Sequence, residues 1–63
     1  MTQEEQIAAL QQQIAQIDAQ IAQLQMARSQ STDPSERSRL DAQIASLQQT
    51  RQALETALSN LQP

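Results

Sequence analysis

Apolar residues recur along the first half of the chain at alternating spacings of three and four positions. This is the heptad pattern, in which the a and d positions carry the apolar side chains that face a partner helix. The second half repeats the pattern, except that Arg51 stands at a position where an apolar residue is expected. The predicted interaction seam comprises Ile7, Leu10, Ile14, Ile17, Ile21, Leu24, Leu40, Ile44, Leu47, Arg51, Leu54, Leu58 and Leu61.

The gap between the two apolar stripes predicts two helices rather than one rod. Leu24 and Leu40 are 16 residues apart, so a continuous helix would set the stripes about 160° apart. The segment 29–34, with its serines, Asp33 and Pro34, is typical of a turn. We therefore predict an all-α fold, an antiparallel two-helix hairpin of coiled-coil type. Its helices span about 3–30 and 34–61, joined by a turn at about 31–33, within a single domain over 1–63.

Both predicted helices begin with capping signals. Thr2 and Glu5 match the capping box, in which the hydroxyl accepts from the third amide and the carboxylate reaches back. Asp33 is the predicted N-cap of the second helix, with Pro34 at its first position and Glu36 at its third.

Two antiparallel registers fit the stripes. If facing residues have numbers that sum to 68, nearly every apolar residue has an apolar partner, and Arg51 faces Ile17 with Asp18 beside it. A slip of one heptad, to a sum of 61, shortens the turn but sets Arg51 against Leu10. An Arg51–Asp18 contact discriminates between them, and we favour the first.

A chain of 63 residues buries little surface on folding, so domains of this size usually depend on a disulfide, a metal or a partner chain. Cysteine and histidine are both absent, which removes disulfides and the usual zinc ligands. Association is the remaining route to stability. We expect the hairpin to dimerise into a four-helix bundle, or to pair with the helices of a larger protein.

The composition also excludes several classes of function. Without His, Cys, Lys or Tyr, and with carboxylates dispersed along helix surfaces, no catalytic, cofactor-binding or metal site is expected, and we predict no enzymatic activity. A net charge of −3 argues against nucleic-acid binding. No apolar run is long enough for a membrane span, and the acidic start of the chain is unlike a signal peptide, so we expect a cytoplasmic protein.

The arginine in the seam and the three arginines near the turn each have a functional and a structural interpretation. Arg51 in the seam either contacts an acidic partner or, as we favour, fixes register and oligomer state at some cost in stability. Arg28, Arg37 and Arg39 gather near the turn and form a candidate patch for an acidic partner. Alternatively, the patch is neutralised by carboxylates three or four residues away from Arg37 or Arg39 on the helix, which is the interpretation we favour. These carboxylates are Asp33, Glu36 and Asp41.

Small residues outside the seam suggest a candidate second interface. Ala8, Ala15 and Ala22 recur every seven residues at the b position, where they would let another helix approach closely. The alternative is that alanine is simply the best helix former. The e and g positions beside the seam are mostly glutamine, so charge repulsion does not oppose self-association.

The segment 6–12 is similar to the Ile-Ala-Ala-Leu heptads of designed coiled coils, and the predicted layout resembles the Rop-type hairpin dimers that regulate plasmid RNA. That resemblance implies a four-helix bundle and RNA binding, although the lysines and phenylalanines of that type are missing here. We expect a small interaction module, an adaptor, assembly chaperone or inhibitor of a larger partner, of phage or bacterial type. The alternatives are a Rop-like nucleic-acid regulator acting through the arginines near the turn, and a passive structural subunit of a larger assembly such as a virion.

Overall fold

The computed structural model describes residues 1–62, and within this range it contains two α-helices and no strand. Helix α1 spans Gln3–Gln30 and helix α2 spans Pro34–Leu61. These bounds coincide with the predicted ones. The helices pack against each other along their length as a hairpin of 47 × 16 × 14 Å. Pro63, the last residue of the predicted domain, lies outside the described residues.

The start of α1 is closed by the capping box that the sequence predicts. The Thr2 hydroxyl accepts a hydrogen bond from the Glu5 amide at 3.1 Å, and the Glu5 carboxylate accepts from the Thr2 amide at 3.2 Å. Two of the amides that a helix start leaves without carbonyl partners are thereby satisfied. Beside this cap, the Gln3 side-chain amide donates to the Leu61 carbonyl, which joins the start of α1 to the end of α2. We call this the open end of the hairpin.

The other end, the turn end, is a three-residue connection built without glycine. Ser31 and Asp33 both have extended backbones, and no described residue has a positive φ. The Asp33 carboxylate caps α2 by accepting from the Ser35 amide at 3.0 Å. The Asp33 amide donates to the Ser31 hydroxyl at 3.3 Å, so the reciprocal bond that a capping box would take from Glu36 is made by Ser31.

Burial along the seam is uneven. Ile21, Leu40 and Ile44 are 8–9% exposed and form the core, together with the buried Ser31. The other nine apolar residues of the seam are covered only in part, because a pair of helices encloses one side of each stripe. The core therefore lies toward the turn end, and every seam residue in the half of the hairpin next to the chain ends is only partly covered.

The register of the two helices follows from a polar contact. Arg51 of α2 donates from Nε to Asp18 Oδ1 of α1 at 2.5 Å, and from Nη2 to Asp18 Oδ2 at 3.4 Å. This is the contact expected when facing residues sum to 68, whereas the alternative register would have placed Arg51 beside Leu10. The favoured register is confirmed.

Candidate interaction surface

The seam contains every isoleucine and leucine of the chain. All thirteen predicted seam residues are at least partly covered in the hairpin, so the two stripes do face each other. The candidate second interface is different, because Ala8, Ala15 and Ala22 are all exposed. The seam residues pack against one another within one chain, whereas the three alanines pack against nothing in the described part of the chain.

Arg51 interrupts the seam without leaving an unpaired charge. Its guanidinium bridges Asp18 of α1 and Glu55 of α2, one turn further along its own helix. The hydrogen bond to Asp18, followed by that to Glu55, raises the pKa of the Arg51 guanidinium above its already high ordinary value. The side chain is 34% exposed, so its aliphatic stem covers the seam while its charged head stays at the surface.

Arg28 makes the second cross-hairpin ion pair, with Asp41. The hydrogen bond to Asp41, more than the simple proximity of its charge, raises the pKa of the Arg28 guanidinium. This pairing differs from the expected one, in which Asp41 would neutralise Arg37 along the same helix. Asp41 pairs with the opposite helix because the register of the seam sets Arg28 opposite Leu40, next to Asp41.

As a result, the candidate patch at the turn end divides into two parts. Arg28 is paired, but Arg37 and Arg39 are exposed and form no ion pair with any residue in 1–62. The expected neutralisation of these two arginines by Asp33, Glu36 and Asp41 is therefore not seen as direct contacts within that range.

The ion pairs also distinguish the two long sides of the hairpin. Asp18, Asp41 and Glu55 all occupy e positions, and the arginines that bind them lean to that side. We call this side the charged flank. The opposite side carries the g positions of both helices and is called the neutral flank; between its ends these positions are Gln6, Gln13, Gln20, Ala27, Gln43, Thr50 and Ala57.

The exposed alanines of the candidate second interface, Ala8, Ala15 and Ala22, lie on the charged flank, and we call them the alanine ridge. Ala15 and Ala22 are three residues before and four residues after Asp18, which makes them its neighbours on the helix surface. A helix approaching this ridge would cover the Asp18–Arg51–Glu55 cluster as well. On the neutral flank, by contrast, Ala27 and Ala57 are already partly covered by the facing helix. The sequence analysis did not single out these two alanines, although their g positions were readable from the heptads.

A shallow, open depression of about 340 Å³ lies at the turn end. Its lining consists of Ala27, Gln30, Ser31, Thr32, Asp33 and Glu36. The Asp33 carboxylate in this lining already caps α2, because it accepts a hydrogen bond from the Ser35 amide. The depression is therefore a surface feature of the turn with no convergent set of binding groups.

In the described chain, no three His, Cys, Asp or Glu side chains converge as the ligands of a metal ion would. Neither helix over 1–62 combines the length and the hydrophobicity that a membrane span requires. No family model matches the sequence, and comparison with curated proteins and with solved structures gives no significant match.

Proposed function

We propose that this chain is a protein–protein interaction module, a helical hairpin that associates with copies of itself and with the helices of a larger protein. In that role it would act in the cytoplasm as an adaptor, an assembly chaperone or an inhibitor. The observation that carries the proposal is the half-open seam. Only three of its apolar side chains fall below 10% exposure in the isolated hairpin, and nine remain partly exposed.

The energetic reason is that a partly exposed seam still has apolar surface in water, and burial of that surface would further stabilise the folded state. Burial of apolar surface yields roughly 25 cal/mol per Å², and a single small core rarely supplies more than about 3–5 kcal/mol of net stability. A second pair of helices, laid along one open side of the hairpin, would cover part of the surface that the nine partly exposed seam residues still present. The module would thus gain stability and bind its partner through the same contacts.

A substitution at mid-seam tests the proposal. Ile17→Asp places an unpaired carboxylate where apolar side chains meet, and we expect folding and association to fail together. Ala19→Asp, on the exposed outer face of the same helix, is the matched control and should preserve both. Light scattering should give a mass of at least two chains for the wild type and the control.

The contrary outcome is equally specific. A strictly monomeric wild type that is fully helical and melts at high temperature would contradict self-association. Affinity capture from the native host, with the Ile17→Asp variant as the negative bait, would then show whether a larger protein supplies the partner helices instead.

A second candidate function is regulation of a nucleic acid through the turn end. It is favoured by Arg37 and Arg39, which have no ion-pair partner among residues 1–62. The net charge of −3 opposes it. A gel shift with RNA and DNA at low salt, repeated with Arg37→Gln and Arg39→Gln together, tests it. Absence of binding at low salt removes this candidate.

A further inference from the structure

We propose that a second copy of this chain docks on the neutral flank, so that the Gln- and Ala-bearing g positions become the interior of the dimer. This inference rests on the proposed self-association and adds which surface performs it. It excludes the alanine ridge at Ala8, Ala15 and Ala22 as the dimer interface.

The surface area of the hairpin indicates that a partner of the same size is needed. The chain exposes 4618 Å², whereas a compact protein of its 7.0 kDa mass would expose about 4,000 Å². A flank 47 Å long and 16 Å wide projects about 750 Å², close to the roughly 800 Å² that each partner contributes to a standard interface. One further hairpin laid flank to flank therefore covers the excess.

The available area does not distinguish the two flanks as docking surfaces, because they are equally long, but their charge does. Docking on the charged flank would remove Asp18, Arg51 and Glu55 from water, together with the Arg28–Asp41 pair. Each ion would lose favourable hydration free energy, and because these charges are already paired within the hairpin, the partner chain would supply no new ion pair in return.

The neutral flank carries no such penalty along most of its length. Its g positions hold no ionisable side chain from Gln6 to Ala27 in α1 or from Gln43 to Ala57 in α2, and Glu36 stands apart at the turn end. Glutamine amides both donate and accept hydrogen bonds, so those of two copies can satisfy one another. Ala27 and Ala57 leave room for the approach of the partner helices. A two-fold arrangement uses the same flank of both copies, as closed dimers do.

Two isosteric double variants of equal charge test the assignment. Gln13→Glu with Gln20→Glu loads the neutral flank, and Gln11→Glu with Gln25→Glu loads the charged flank of the same helix. Sedimentation with interference optics suits a chain without aromatic residues. We expect the first variant to raise the dimer dissociation constant by at least about 100-fold, because four carboxylates become buried in each dimer. The second should change it by less than about 3-fold.

Helix content measured over the same concentrations separates dissociation from misfolding. The neutral-flank variant should regain both helicity and dimer mass at high concentration. Failure to regain helicity at any concentration would overturn the assignment, since the damage would then lie within one hairpin. Equal sensitivity of the two variants, or greater sensitivity of the charged-flank variant, would also overturn it while leaving self-association intact. A wild type that stays monomeric would overturn both.

Discussion

The half of the hairpin next to the turn and the half next to the chain ends have the same heptad pattern but different degrees of burial. Ile21, Leu40 and Ile44 in the turn half are 8–9% exposed, whereas Ile7 and Leu58 in the open half are only partly covered. The difference lies in what closes each end. The turn end has a covalent connection, the buried Ser31 and the Arg28–Asp41 pair, whereas among residues 1–62 the open end is joined by one cross-helix hydrogen bond, from Gln3. Heptad position selects which residues face inward, and the three buried apolar residues all lie in the turn half, although Leu24 in that half is only partly covered.

The largest expected effect comes from removing the same side chain in each half. Ile21→Ala deletes a buried isoleucine and should cost about 2–5 kcal/mol in the free energy of unfolding, enough to unfold much of the chain. Ile7→Ala makes the same change at the same heptad position in the open half and should cost about 1–2 kcal/mol. Urea unfolding followed by helical circular dichroism measures both. Equal losses in the free energy of unfolding would contradict the difference in burial between the two halves.

A smaller effect is expected at the boundary between the two halves, where Arg51 faces Ile17. Arg51→Leu extends the apolar core toward the open end, where the new leucine faces Ile17, and should raise the melting temperature by a few degrees. The same change removes the polar residue that disfavours the slipped register, so a mixture of oligomers is expected in sedimentation. Arg51→Gln, which keeps a polar side chain, should show neither effect. A loss of stability in Arg51→Leu would mean that the contacts with Asp18 and Glu55 outweigh the interruption of the seam.

Removing the cap of each helix compares the contributions of the two ends to stability directly. Asp33→Ala removes the cap of α2 at the turn end and should cost about 1 kcal/mol, or roughly 4–8 °C in melting temperature for a domain of this size. Thr2→Ala removes the cap of α1 at the open end. It should cost only a few tenths of a kcal/mol, because a helix end that frays before global unfolding contributes little. Thermal melts of the two variants side by side provide the test, and a greater loss from Thr2→Ala would reverse the ranking of the ends.

The smallest effect is expected from the exposed ion pair at the turn end. Asp41→Asn should lower the melting temperature by about 1–2 °C at low salt and by almost nothing near 1 M salt. The hydrogen bond to Asp41 raises the pKa of the Arg28 guanidinium above its already high ordinary value, so raising the pH does not remove this charge, and salt is the variable that weakens the pair. Gln3→Ala at the open end breaks a contact between neutral groups, and its effect should not depend on salt.

Much of this architecture could be predicted from the sequence because its signals are local. The capping box at Thr2, the Asp33-Pro34 start and the stripe periodicity each depend on residues a few positions apart, and all reappear in the structure. The Arg51–Asp18 contact is long-range, yet it was predictable once the two stripes had been aligned.

The remaining features depend on the relative placement of the two helices. Arg37 and Arg28 compete for Asp41, and spacing along one helix favoured Arg37, but the structure gives the pair to Arg28. The role of Ser31 as a buried acceptor could not be predicted from the sequence either, because its hydroxyl meets the Asp33 amide only when the turn folds back on itself. The composition of the two flanks is readable from the heptads, since the acidic residues occupy e positions and the g positions are mostly neutral, but the direction in which each arginine leans required the structure.

The contact between Gln3 and the Leu61 carbonyl has a geometric consequence for anything attached to this chain. Because the first and last turns of helix are neighbours, polypeptide fused at either side leaves the molecule from one place, as in domains that tolerate insertion into a host loop. The whole hairpin then projects from that point as a stalk 47 Å long. Grafted into a surface loop of another protein, it would carry Thr32 at its tip, at the greatest distance from the host.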